Sequence, residues 1–278
     1  MKFRAALLAV AAICFVTGLA SSQTPPSTTP APSGPQVQAN VSDRSPSDEL
    51  NDQLPKWLRF SGEIRLRGEG VDGLGFKPDN GTGYFLTRIR LNMRIQPTAW
   101  MAFVFQGQDA HILGEDERKI APLPPYQDTF DLRLGYLELG DAEKKHFGFR
   151  IGRQELAFGS EKLLGNSNWL NTPRSFDGMR GTFRGTGYRV DAFAACLDKI
   201  HDGQFNECTP GNNIYGIYTA LSKLVPKASL EPFFLWRRQS ALKSEAGPVG
   251  IMNYGTIGVH LKGKAGAGAD YDVELARQ

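Results

Sequence analysis

Arginines recur at alternate positions in two stretches of the chain. Arg88, Arg90 and Arg94 are separated by two and four residues, and Arg65 and Arg67 by two. In extended backbone, residues two apart share a face, so each stretch sets guanidinium groups side by side. A guanidinium stays charged at any physiological pH and offers a planar fork of donors that matches a carboxylate. A row of them is chemistry for holding or passing a polyanion. Covalent chemistry finds less support. His111, His146, His201 and His260 are scattered without a nucleophile beside them, and neither G-x-S-x-G nor H-E-x-x-H occurs. The run Gly263-Lys264-Ala265-Gly266-Ala267-Gly268 lacks the closing Gly-Lys-Ser/Thr of a phosphate loop and reads as a turn. The chain is therefore read as a non-enzyme with no cofactor and no metal site. A composite catalytic site on the surface of a barrel, as in a membrane-embedded lipase, is the weakest rival.

The elements that must position these arginines are strands. Leu58, Phe60, Ile64 and Leu66 fall on one face of a first unit, opposed by Arg59, Ser61, Glu63, Arg65, Arg67 and Glu69. Phe85, Ile89, Leu91, Met93 and Ile95 of a second are opposed by Arg88, Arg90, Asn92 and Arg94. Period-two alternation of this kind marks a strand with one apolar and one charged face. Similar units follow at 101–109, 130–139, 146–154, 176–183, 188–195, 213–221, 228–238, 254–263 and 271–278, giving eleven strands. Alternation blurs in 130–139 and 213–221, where bulges or a shifted register are expected.

The connections sort into two kinds. Long polar loops at 71–83, 110–129, 155–175, 196–212 and 239–253 alternate with short turns at 97–99, 140–145, 185–187 and 222–227. A transmembrane barrel has short periplasmic turns and longer extracellular loops, whereas a soluble sandwich has no reason to sort its connections. The expected fold is an all-β, antiparallel, up-and-down transmembrane barrel. One Arg facing lipid at the bilayer midplane costs roughly 2 to 4 kcal/mol. Exposing Arg88, Arg90 and Arg94 together would cost on the order of 6 to 12 kcal/mol, so the charged face must line the lumen. That face carries Arg59, Arg65, Arg67, Arg88, Arg90, Arg94, Arg150 and Lys262 against Glu63, Glu69, Asp272 and Glu274. Most of the cations sit on the first two strands, as a basic stripe.

The N-terminus reads as a secretory signal peptide over residues 1–22. Lys2 and Arg4 precede an apolar run at 5–20 and small residues at 21–22. The run is shorter than the roughly 20 residues of a membrane helix, and Ile13 before Cys14 argues against lipidation. Losing Lys2 and Arg4 takes the formal charge from +3 to about +1, so total charge points to no partner, nucleic acid included. Residues 23–56 are rich in Pro, Ser, Thr and Gln and read as a disordered periplasmic segment, in which a short helix at 47–54 is admissible. Residues 57–278 form the barrel region. Cys196 and Cys208 flank a polar stretch in an oxidising compartment, which favours a disulfide over a free pair. An odd strand number ending inside the eleventh strand suggests a barrel incomplete at its C-terminus.

One segment carries a more specific signal. Gly152-Arg153-Gln154-Glu155-Leu156-Ala157-Phe158-Gly159 is followed by Leu163-Leu164-Gly165, Asn168-Trp169, Asn171 and Arg174-Ser175-Phe176-Asp177-Gly178. It resembles the signature of the alginate export family of outer-membrane proteins. Gln108-Asp109, Tyr136-Leu137-Glu138-Leu139, Glu231-Pro232-Phe233, Trp236-Arg237-Arg238, Leu261-Lys262-Gly263-Lys264 and Asp270-Tyr271-Asp272 agree in the same order, so the similarity runs from about Leu58 to the end. The resemblance implies a barrel of about 18 strands, narrowed by an inward-folded loop and lined with arginines. It also implies a passive channel through which an anionic, alginate-like polysaccharide leaves the periplasm.

On that basis the expected substrate path is Arg65, Arg67, Arg88, Arg90, Arg94, Arg150, Arg153 and Arg174, supported by Glu155, Asn171 and Asp177. Glu155 and Asp177 are expected to hold arginines in place rather than touch substrate. The bland alternative is that these arginines pair with acids on neighbouring strands and fill the interior. Implied partners are the polysaccharide, outer-membrane lipid and periplasmic export components. The rival functions are an anion-selective uptake porin for small nutrients and a surface adhesin or binding scaffold.

Overall fold

The computed structural model describes residues 45–141, 146–265 and 268–278. The signal peptide expected at 1–22, most of the segment expected at 23–56 and part of the turn at 140–145 lie outside them. The eleven strands are β1 (Leu58–Val71), β2 (Thr82–Thr98), β3 (Met101–Leu113), β4 (Asp128–Gly140), β5 (Phe147–Gln154), β6 (Phe176–Gly185), β7 (Tyr188–Lys199), β8 (Glu207–Leu221), β9 (Ala228–Lys243), β10 (Val249–Lys264) and β11 (Asp270–Arg277). They form one antiparallel sheet in sequence order, each strand paired with the next. A helix, α1 (Pro46–Gln53), precedes them where the sequence admits one. Pro46 suits its first turn. The Asn51 side chain donates to Phe60 O at 2.7 Å and accepts from Phe60 N–H at 2.9 Å, so it substitutes for a strand partner at the free edge of β1.

Several strands run further into the long connections than hydrophobic alternation indicates. β3 continues to Leu113, β7 to Lys199 and β9 to Lys243, while β8 begins at Glu207 and β10 at Val249. Backbone pairing does not require an apolar face, so the ladder continues through polar residues after the alternation has ended. The bulge expected within 130–139 is found as register shifts between β3 and β4 at Gln106/Gly107 and Gln108/Ala110. In the second blurred stretch, 213–221 pairs regularly with β7, and the shift falls instead between Cys196 and Asp198.

The two faces of the sheet are inverted relative to a water-soluble protein. Ile64 is 84% exposed and Leu66 70%, while Arg88 is 2% and Arg90 5% exposed. Gln106, Gln108, Glu138, Arg180, Thr182, Asp191, Thr256 and His260 are likewise buried. The β5–β6 connection, residues 155–175, folds back against this polar face. Ser160 donates to Glu274 on β11, and the Asn168 carbonyl accepts from Arg65 on β1 at 3.2 Å. Eleven strands laid flat would be about 48 Å wide. The eight steps of backbone from Ser160 to Asn168 span about 28 Å at most, so the sheet curls around the loop.

Candidate functional site

The loop is fixed to the inner face at two ends by different physics. Its first half is apolar. Leu156 and Leu164 are buried with Phe176, Phe193, Tyr218, Phe233 and Leu235 from β6–β9. Phe158 stacks on Phe193 at 5.1 Å and Tyr218 at 5.0 Å, and the Arg180 guanidinium lies 4.9 Å from its ring centroid. Gly159 has φ +58°, and a Cβ there would collide with the Tyr218 hydroxyl, so glycine meets both a left-handed turn and a close approach.

The second half is polar and sits on the basic stripe. In β1–β2, Glu63 lies opposite Arg90 and Arg65 opposite Arg88. Glu63 accepts from Arg88 Nε at 3.0 Å and pairs with Arg90 at 3.3 Å. Arg90 Nε also donates to Gln108 at 2.8 Å. Other donors point at the loop. Arg88 Nη1 donates to the carbonyls of Asn168 at 3.2 Å and Leu170 at 3.0 Å. Arg65 reaches the same two carbonyls, Arg67 donates to Trp169 O at 2.6 Å, and Arg90 donates to Asn168 Oδ1 at 3.0 Å. Four guanidinium groups with two glutamates would leave excess positive charge on the face. A row of loop carbonyls aimed at them supplies the missing acceptors. The loop, rather than open space, therefore occupies the stripe formed by Arg65, Arg67, Arg88 and Arg90.

Asn171 locks the end of this segment. It is fully buried, and its Nδ2 donates to the carbonyls of Thr87, His111 and Tyr126 at 3.0, 3.2 and 2.8 Å, while Oδ1 accepts from Arg65 at 3.2 Å. Glu155 accepts from Arg133 on β4 and from Asn166 at 3.0 Å, so it holds an arginine other than Arg153 or Arg174.

Arg153 departs from the expected set. It lies three positions from Arg150 on β5, whose pairings show no register shift. Strand alternation thus puts it in phase with Ile151 instead of Arg150. Its guanidinium is enclosed by Asp177 at 2.9 Å, Asp198 at 3.2 Å and Asp131 at 3.6 Å, and donates to Asn206 O at 2.6 Å. Its charge is taken up in the rim between β4, β6 and the β7–β8 loop. That loop is tied down at several points. Cys196 is bonded to Cys208, Asn206 donates to Asp128 at 2.9 Å, and Asp202 accepts from Gln127 and from Thr129 N–H, both at 2.8 Å. Burial pushes the Asp202 carboxyl up, but these hydrogen bonds outweigh it and hold it below the ordinary value.

Further cations of the inner face lie elsewhere. Near the short turns, Arg94 and Arg150 share Glu138 at 3.3 and 2.5 Å, and Arg180 and Arg189 share Asp191, each at 2.8 Å. The Arg94 side chain is 37% exposed. On the other side of the loop, exposed Arg174 lines a cavity of about 160 Å³ with Arg237, Asn212, Tyr254, Leu163 and Leu164. Sequence reasoning missed Arg133, Arg180, Arg189, Glu138 and Asp191. Alternation from Arg150 and Thr182 could have found Arg180, but the bulge in β4 hides Arg133. Among the described residues, no group of three or more His, Cys, Asp or Glu side chains could hold a metal. No helix among them is long and apolar enough to cross a membrane.

A loop folded inward against an arginine-bearing face is the feature that the motif resemblance leads one to expect. The family model described as Alginate export matches residues 56–278. The chain belongs to the alginate export family. A search of curated proteins found no match. Alginate export is a transport family rather than an enzyme family, and its members are outer-membrane proteins. The match covers all eleven strands and begins just after α1.

Proposed function

We propose that the sheet is part of a closed outer-membrane barrel of about 18 strands, a passive channel for export of an anionic, alginate-like polysaccharide. The observation that carries this reading is the inverted sheet, whose polar face is narrowed by the loop at 155–175. Lipid is the solvent that accommodates a face bearing Ile64, Leu66, Leu91 and Ile257, while buried arginines require acceptors or water. Arginine selectivity is divided between two groups. Arg65, Arg67, Arg88 and Arg90 build the constriction by clamping the loop. Arg94, Arg150 and Arg174 meet the polymer, and Asp177 holds Arg153 in the rim. Weak contacts repeated along a path permit passage where one tight site would stop it.

The test is planar-bilayer conductance of the full-length barrel in a salt gradient, with and without added polyuronate. Anion preference with polymer-dependent block is the expected result, and Arg94→Ser with Arg150→Ser is expected to lower that preference. A cation-selective or non-conducting barrel would overturn the proposal.

A further inference from the structure

The loop carries one large side chain that its own packing does not use. Trp169 is 72% exposed, although its backbone is among the best anchored in the loop. The carbonyls of Asn168, Trp169 and Leu170 all accept from guanidinium groups of β1 and β2. The Arg67 guanidinium lies over the indole, 4.3 Å from its centroid, so a cation backs one face of a ring that is otherwise largely exposed. Tryptophans at a membrane boundary have a separate explanation. Trp57 precedes β1, Trp100 lies in the β2–β3 turn, and Trp236 on β9 is out of phase with buried Leu235. Trp169 belongs to none of these places, because it sits on the polar face against the arginine stripe.

We infer that the face of Trp169 opposite Arg67 is a stacking platform for a pyranose ring of the transported acidic glycan. This rests on the export reading above and deepens it. The C–H groups on one side of a pyranose ring form a flat, weakly positive surface that packs against a π face, as a hydrocarbon with polar edges does. A small inorganic anion has no such surface. The cation behind the ring matters as well. The negative face of an indole repels an acidic sugar, and a guanidinium on the far side draws that density away. The rigid mounting lets the platform act without an ordering cost at each passing residue. Selectivity for a sugar over a simple anion would then reside at Trp169, while Arg94, Arg150 and Arg174 recognise charge alone.

The experiment is block of the full-length barrel by a purified uronic-acid hexasaccharide, read as half-blocking concentration, together with the reversal potential in a potassium chloride gradient. Trp169→Leu keeps apolar bulk and removes the π face, and Trp169→Phe keeps a smaller one. The expected order of block is Trp, then Phe, then Leu, with the Leu variant weaker by about tenfold. Hexasaccharide block equal in the Leu variant and the parent would overturn the platform and leave the export reading standing. So would a loss of anion preference as large as the loss of block, since Trp169 would then act by placing the loop. No block of the unsubstituted barrel would overturn the export reading itself, and the platform with it.

Discussion

Replacing Asn171 with alanine tests whether the inward loop is held by specific polar contacts. The buried amide serves the carbonyls of Thr87, His111 and Tyr126 and accepts from Arg65. Truncation leaves those partners short of a hydrogen bond in a site where Asn171 itself is 0% exposed. A buried polar group left unsatisfied costs about 1 to 3 kcal/mol. Part of the loss is relieved because the three carbonyls compete for two N–H groups, so about 3 kcal/mol is a reasonable total. That corresponds to roughly a hundredfold rise in the population of the opened loop. Native-state hydrogen exchange of the detergent-solubilised full-length barrel reads this directly. The informative amides are Leu170, bonded to Ser167 O, Thr172, bonded to Pro125 O, and Arg174, bonded to Asn166 O. Their protection should fall by about two orders of magnitude, while amides in the β9–β10 ladder keep theirs. Unchanged protection at Leu170 and Thr172 would refute the reasoning. The loop would then be held by its apolar half and the arginine clamps alone.

Three other perturbations address the loop and the rim. Gly159→Ala should destabilise the full-length barrel and raise open-channel current noise, because the added methyl meets the Tyr218 hydroxyl at a positive φ; quiet, parent-like current would contradict that placement. Asp202 has a folded-state pKa below its ordinary value, so its contribution is complete above the unfolded pKa and disappears as pH falls through the folded one. Cleavage by an acid-active protease between residues 200 and 206 should therefore rise steeply below about pH 4, and Asp202→Asn should remove that pH dependence while leaving cleavage high. Reduction of Cys196–Cys208, which are 12 residues apart, removes a loop constraint worth about 3 kcal/mol. A lower unfolding midpoint in urea is expected, and an unmoved midpoint would count against a contribution of that size.

The strands were legible because a pleated backbone turns every second side chain to the same face, so the period-two pattern of Phe85 to Ile95 is written locally. Loop sorting was legible for a similar reason, since polar and glycine-rich runs cannot sustain that alternation. The strand ends were not. Lys243 and Glu207 pair through backbone groups that are the same for every residue. The candidate site was legible as chemistry but not as exposure. Arg88 and Arg90 stand on the face expected of them, but they bond to Asn168 and Leu170, residues about 80 positions away.

Composition and spacing alone therefore determined an antiparallel β protein with one apolar and one charged face, and a set of guanidinium groups on the charged one. The tertiary structure decided which of those charges remain available. The β5–β6 loop returns across the sheet and covers Arg65, Arg67, Arg88 and Arg90, while Arg153 is drawn into the rim by three aspartates from β4, β6 and β7. It also mounted Trp169 on Arg67, residues 102 positions apart. Alternation is a property of one strand and its neighbours. Accessibility depends on which distant backbone carbonyls arrive to satisfy a buried cation, and no local pattern encodes that.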